Sequence, residues 1–322
     1  MVKRRFAAID VGTNTILLLI ADLGENDTFR VVTDRAEIAR LGEGVDRTGS
    51  LSAAGVERGL EVLRDYLDTC RNLGVDEILA MGTSALRDAR NAENFIARLK
   101  RELSLELRVL SGEEEAAYSY LAVHKGLHLE AKEALVVDVG GGSTEFIWAR
   151  EGRLHRWASL NLGSVRLTER FFRSDPVQPE ECARLAAAID AELRALLNQW
   201  GIAAPFDVMV GIAGTFTTLA AVMKGLQEYS HSEVHGCVLS RVEVARQVRL
   251  FMAKTLAERR EIAGLEPLRA DVIPAGALLI ELIISLFHMD EVIVSDQGIR
   301  YGLLYERIAL SRQRSAISKE NN

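Results

Sequence analysis

Two segments of this chain, AAIDVGTNTILLLI (7–20) and LVVDVGGGSTEFIW (135–148), repeat one pattern. Each is an apolar strand, then Asp-Val-Gly, then a short turn of Gly, Ser, Thr or Asn, then a second strand. The carboxylate falls at the same place in both copies, as Asp10 and Asp138. The turn leads into another β run and not into a helix, so each segment reads as a hairpin. Two copies about 130 residues apart predict two similar half-molecules. Chemically, a strand ending in a carboxylate and followed by a turn with bare amide groups suits a Mg²⁺-assisted grip on phosphate. One Asp-Gly turn would be ordinary hairpin chemistry; two matched copies favour a phosphate site. Neither a G-x-x-x-x-G-K-[ST] loop nor a G-x-G-x-x-G strand-to-helix turn is present.

Between and after the hairpins, helical and strand patterns alternate. LSAAGVERGLEVLRDYLDTCRNLG (51–74) places Val56, Leu60, Leu63 and Leu67 at helical spacing. A strand at 76–83, a helix at 92–103, a strand at 105–110 and a helix from Ser111 to about His124 follow. The second half predicts strands at 153–160 and 206–212, helices near 163–173, 179–200, 240–252, 255–262 and 271–288, a strand at 291–296 and a helix at 299–311. The polar tail 311–322 is expected to fray. This is an α/β pattern. The predicted division is a first domain of residues 1–123 plus a C-terminal helix at about 305–322, and a second domain of residues 124–304.

At 322 residues the chain is long enough for two cores. A net charge of −7 argues against a nucleic-acid-coating protein. The longest apolar run, VIPAGALLIELIISLF (272–287), contains Pro274 and Glu281 and is too short to span a bilayer. Cys70, Cys182 and Cys237 are widely spaced and odd in number, so buried thiols in a reducing compartment are expected. The N-terminus enters a strand directly, without a cleavable apolar core. The expected location is the cytoplasm, with no membrane and no nucleic-acid partner.

Taken together, the motifs resemble the exopolyphosphatase/guanosine pentaphosphate phosphohydrolase (Ppx/GppA) family over nearly the whole chain. IDVGTNT and VVDVGGGSTEF (136–146) resemble its two phosphate motifs, GTSALRDARNAENF (82–95) its Ser-Ala-Leu-Arg-Asp stretch, and LSGEEEAAYSYLAV (110–123) its Glu-bearing helix. LNLGSVRLTERFF (160–172), VGIAGTFTTLAA (210–221), GLEPLRADVIPAGALLI (264–280) and VSDQGIRYGLL (294–304) resemble later blocks. The resemblance implies two actin-like, ribonuclease H-like domains of the actin, sugar-kinase and Hsp70 superfamily, with an active site in the cleft between them. It implies Mg²⁺-dependent release of terminal orthophosphate from inorganic polyphosphate, with the 5′ phosphate of pppGpp as the alternative. Mn²⁺ is an alternative ion, guanosine tetraphosphate an expected inhibitor, and homodimer formation is left open.

Residue by residue, Ser111 and Glu114 form a capping box, and Glu113 sits in the first helical turn. Glu115 has no capping task, and the family's catalytic Glu falls on it. Asp138 is the expected Mg²⁺ ligand, with Asp10 and Glu145 as second carboxylates. Gly12, Thr13, Asn14 and Thr15, with Gly140, Gly141, Gly142, Ser143 and Thr144, are expected donors to phosphate oxygens. Arg87 resembles the family's phosphate-contacting Arg, although an Arg in a loop is by default solvated. Arg166 and Arg269 are candidates for gripping the substrate further from the reacting end. Gly211 and Gly214 serve either a nucleotide or tight packing. Two departures matter: Leu17 stands where members commonly carry Arg, which tips the expected substrate toward polyphosphate, and the further helical region of longer members is absent from these 322 residues. The rival readings are a superfamily small-molecule kinase, for which no sugar signature is present, and a guanosine-tetraphosphate-binding regulator, for which loss of Glu115 would be the mark.

Overall fold

The computed structural model describes residues 4–24, 28–129, 133–202 and 206–320, with side chains to 311. The chain divides into two compact units, residues 1–125 with 298–322 and residues 126–297. Unit 1 begins with β1 (Arg4–Val11), β2 (Thr15–Leu23) and β3 (Phe29–Ile38), an antiparallel meander. A short α1 (Val45–Thr48) and the long α2 (Ala53–Asn72) lead to β4 (Glu77–Gly82), α3 (Ser84–Asp88), α4 (Ala92–Leu103), β5 (Leu107–Val109) and α5 (Gly112–Gly126). The sheet order is β3-β2-β1-β4-β5, with β4 and β5 parallel to β1.

Period-two alternation explains the two faces of this sheet. Ile9, Val11, Ile16 and Leu18 pack with Leu60, Leu63 and Tyr66 of α2 and with Phe95 and Leu99 of α4. Ser52 starts α2 by accepting a 3.0 Å bond from the Gly55 amide, the N-cap that its hydroxyl favours. On the other face Phe6, Ala8 and Leu19 pack with Ala122 of α5 and with residues after Gly298. Asp10 and Leu17 alternate with the α2/α4-facing residues and so share this second face.

Unit 2 repeats the plan. β6 (Glu133–Val139), β7 (Thr144–Arg150) and β8 (Arg153–Leu160) form a second antiparallel meander, followed by α6 (Ser164–Phe171) and α7 (Pro179–Trp200). Then come β9 (Val208–Ile212), α8 (Ala213–Lys224), α9 (His231–Val234), β10 (Val238–Ser240), α10 (Arg241–Ala253), α11 (Leu256–Arg260), a 3₁₀ turn at Pro267–Arg269, α12 (Ile273–Leu286) and β11 (Glu291–Val294). The order is β10-β11-β9-β6-β7-β8, again with parallel strands on one side of a leading hairpin. Leu135, Val137, Val139 and Phe146 pack on α7, α8 and α12, so Asp138 and Glu145 occupy the opposite face. Two α/β units, each with a sheet led by an antiparallel meander, are the α/β class that the sequence predicted.

The apolar run at 272–287 is the buried α12, and among the described residues no helix is long and apolar enough to cross a membrane. The last helix, α13 (Ile299–Glu320), packs Ile299, Leu303, Leu304 and Ile308 into unit 1. It continues through 311–320, which polarity alone would leave frayed. Pattern reading also passes over α1, α3, α9 and β10, each of five residues or fewer and too short to show a period.

Candidate active site

The two hairpins share one pairing register. In the first, Asp10 faces Leu17 across the strands and the Gly12 amide bonds the Thr15 carbonyl at 3.1 Å. In the second, Asp138 faces Glu145 and the Gly140 amide bonds the Ser143 carbonyl at 3.0 Å. A methyl group at Gly12 would lie 2.9 Å from the Thr15 oxygen, closer than a Cβ stands, and one at Gly140 3.1 Å from that of Ser143, a tight contact.

Each turn is held from behind by its carbonyls. The Thr13 and Asn14 carbonyls accept from the Gly42 amide at 2.8 Å and the Arg40 amide at 2.9 Å. The Gly140 carbonyl accepts from the Ser164 amide at 3.0 Å, and that of Gly141 from the amides of Val165 and Arg166 at 3.0 and 3.1 Å. The Gly142 carbonyl accepts from Arg166 Nε at 2.7 Å. Carbonyl and amide point in opposite directions across a trans peptide, so a carbonyl tied inward turns the next amide outward. Among the described residues, the amides of Thr13, Asn14, Gly141, Gly142 and Ser143 donate to no protein oxygen. Successive outward amides form a concavity for an anion.

In unit 1, Ser111 and Glu114 make the expected capping box: the Ser111 amide donates to Glu114 at 2.9 Å, and the Glu114 amide to Ser111 Oγ at 3.2 Å. The Ser111 amide is the leading cause holding the Glu114 carboxyl below its usual range. Glu115, one residue on, is buried at 6% exposed. Arg87 Nη1 donates to Glu115 Oε2 and, at 3.1 Å, to the Leu110 carbonyl. Burial pushes the Glu115 carboxyl up, and the Arg87 charge and hydrogen bond oppose that. The expectation of a loop arginine is corrected here. Arg87 lies on α3 and is paired, because α3 sits at the end of β4, next to the start of α5 in the fold. Asp10, Thr13 and Asn14 are all buried beside their turn.

In unit 2, Glu145 is 1% exposed, and its Oε1 accepts from Ser143 Oγ and Ser159 Oγ, each at 2.8 Å. Asp138 is buried directly across the strands from it. Thr144 Oγ1 bonds the Leu162 carbonyl, which ties it to the segment before α6 rather than aiming it outward. Arg166 lies at the start of α6 with Nε against the turn. Arg269 lies over Gly214, where a methyl group would sit 2.1 Å from its Nη1; burial pushes its guanidinium below the usual range. Gly211 is likewise filled, by the Phe216 ring at 2.3 Å from a built Cβ. Both glycines therefore serve close packing. Sequence reading missed Ser159, Gly163 and Gly42. Ser159 carried a signal, since it is a hydroxyl at the register position opposite Glu145.

The carboxylates of Asp138 and Glu145 are hard oxygen donors, and among the described residues no group of three or more His, Cys, Asp and Glu could hold a metal ion. Mg²⁺ takes one or two carboxylates and fills its shell with waters and substrate phosphates, so this pair fits it.

Family comparison agrees with this architecture. Residues 19–310 match the Ppx/GppA phosphatase family, and the chain belongs to that family. It is 32% identical to a bifunctional 3-dehydroquinate synthase/phosphatase of Fusobacterium nucleatum over 94% of this chain and 46% of that protein, so it spans about half of that relative. It is 31% identical to exopolyphosphatase 2 of Mycobacterium tuberculosis over 94% of this chain and 98% of that one. It is 29% identical to a guanosine-5′-triphosphate,3′-diphosphate pyrophosphatase of Vibrio atlanticus over 96% of this chain and 60% of that one. A solved Ppx/GppA structure from Aquifex aeolicus matches with a TM-score of 0.80 at 35% identity, covering 96% and 98% of the two chains.

Proposed function

We propose that this protein is an exopolyphosphatase, hydrolysing the terminal phosphoanhydride of inorganic polyphosphate with release of orthophosphate. The observation that carries this reading is the run of outward amides at Gly141, Gly142 and Ser143 beside the paired carboxylates Asp138 and Glu145. That combination suits a phosphate with its counter-ion and offers little to a neutral ligand. The base in this reading is Glu115, which orients a water and accepts its proton, as phosphoryl transfer requires of one carboxylate. Arg87 opposes the upward push of burial on that carboxyl and presents a positive charge beside it. Thr13, Asn14 and Thr15 donate to phosphate from the first hairpin, whose Gly12 amide is used in closing the turn on the Thr15 carbonyl, with Asp10 behind them. Asp138 and Glu145 would hold Mg²⁺, or Mn²⁺, which when bound neutralises charge on the phosphoryl oxygens.

The alternative substrate is pppGpp, favoured by the name of the Vibrio relative. Leu17 argues against it, since it places an apolar side chain opposite Asp10 where an Arg would add an anion contact. Three free, partly or fully buried thiols support a reducing, cytoplasmic setting.

The test is phosphate release from polyphosphate, pppGpp and ATP side by side, with and without Mg²⁺. Polyphosphate should be cleaved fastest and EDTA should abolish cleavage. Phosphoryl transfer from ATP to a small acceptor, with no hydrolysis of polyphosphate, would overturn the reading in favour of a kinase.

A further inference from the structure

We propose that Arg166 and Gly163 are positioning residues for the second phosphate turn, setting its three peptide planes so that the amides of Gly141, Gly142 and Ser143 face the phosphate. The inference rests on the reading of that turn as a phosphate site. It departs from the expectation that Arg166 grips the distal part of the substrate.

The geometry is a stack of three pinned carbonyls. Those of Gly140 and Gly141 are held by the first amides of α6, and that of Gly142 by Arg166 Nε. With all three carbonyls fixed on one side, the three following amides are fixed on the other. α6 could not approach this closely with any side chain at Gly163. A methyl group there would lie 2.2 Å from the Gly141 oxygen and 2.4 Å from the Gly142 carbonyl carbon. Gly163 has φ −112° and ψ 152°, ordinary extended backbone, so contact and not conformation demands glycine. The first hairpin supports the interpretation by contrast. Its two pinned carbonyls, Thr13 and Asn14, are held by backbone amides alone, and the side chain that plays the same part in unit 2 belongs to Arg166.

The test compares Arg166→Lys and Gly163→Ala with wild type in the full chain. Steady-state rates are measured on tripolyphosphate and on long polyphosphate at low and high salt. The ¹⁵N-resolved amide resonances of Gly141, Gly142 and Ser143 are followed during titration with tripolyphosphate. A positioning role predicts that Arg166→Lys, which keeps the charge but loses the planar Nε donor, lowers kcat by ~10- to 10²-fold on both substrates alike. That loss should not depend on salt. The amide shifts seen in wild type should shrink in the variant. A loss that grows with chain length and vanishes in high salt would make Arg166 a distal grip and overturn the inference. Wild-type shifts that persist unchanged in both variants would overturn it as well. Wild-type amides that ignore tripolyphosphate would instead remove the phosphate reading of the turn, and this inference with it. If Arg166→Lys does not melt cooperatively, Gly163→Ala carries the same comparison.

Discussion

The two hairpins share a backbone and differ in what they present. Both close with a glycine amide on the carbonyl three residues later, and both place an Asp one residue before the end of the first strand. Seven residues after that Asp, the first hairpin has Leu17 and the second Glu145. The first is backed by loop amides, the second by a helix start and an arginine side chain. The outward amides are therefore common to both scaffolds, and the carboxylate pair is not. A pair of carboxylates suited to a hard cation exists in the second hairpin alone of the two.

The sharpest test of that division removes the group that belongs to neither hairpin. Glu115→Gln should lower phosphate release by ~10³-fold while leaving substrate affinity nearly unchanged, as expected of a general base. Glu114→Gln should cost on the order of 1 kcal/mol in a melt through the weakened cap and leave turnover in place. An inactive Glu114→Gln beside an active Glu115→Gln would place the base one residue earlier.

Next in size are the hairpin carboxylates. Asp138→Asn should lower turnover by ~10²-fold and raise the Mg²⁺ concentration needed for half-activity, because the ion stabilises developing charge. Asp10→Asn, facing Leu17, should cost only ~10-fold. Titration with Mn²⁺ followed by electron paramagnetic resonance checks the ion directly. If Asp10→Asn proves the more damaging for Mn²⁺ binding, the ion belongs to the first hairpin and the comparison inverts.

A smaller effect should appear at position 17. Leu17 is half-buried, so an Arg there has room to reach solvent. Leu17→Arg should tighten pppGpp over tripolyphosphate by up to about 1.5–3 kcal/mol if the new side chain meets phosphate. A variant that melts normally with unchanged selectivity would show that this difference between the hairpins does not choose the substrate.

The smallest effect is on pH dependence. Burial raises the Glu115 carboxyl and Arg87 opposes it, so Arg87→Gln removes the opposing part. The base must be ionised to act. The acidic limb of kcat/KM should therefore move to higher pH in Arg87→Gln, with activity at low pH lost first. A limb that stays in place would mean that Arg87 does not set the state of Glu115.

What the sequence disclosed follows from range. The hairpins were readable because strand, turn and carboxylate are contiguous, and the capping box separated Glu114 from Glu115 because its members are three residues apart. The Arg87–Glu115 pair joins residues 28 apart through the ends of two elements, and no local pattern encodes it. The same holds for Gly163 against Gly141. Its glycine looks dispensable by conformation and becomes necessary only when α6 is folded onto the turn. Arg166 stood out as a charge, yet its use as a planar donor to a carbonyl appears only in three dimensions.

The return of α13 to unit 1 fixes an order of manufacture. β1 leaves a ribosome before the other described elements, yet Phe6 and Ala8 wait for Ile299, Leu303 and Leu304. Burying each of those leucines contributes about 1.5–3 kcal/mol that is withheld until then. Unit 2, contiguous from Gly126 to Gln297, can finish in the meantime. At 5–20 residues per second, the part of the first sheet's bare side which α5 does not cover stays exposed for roughly 10–40 s in every round of synthesis. Unit 1, which holds Glu115, is thus begun before unit 2 and completed after it.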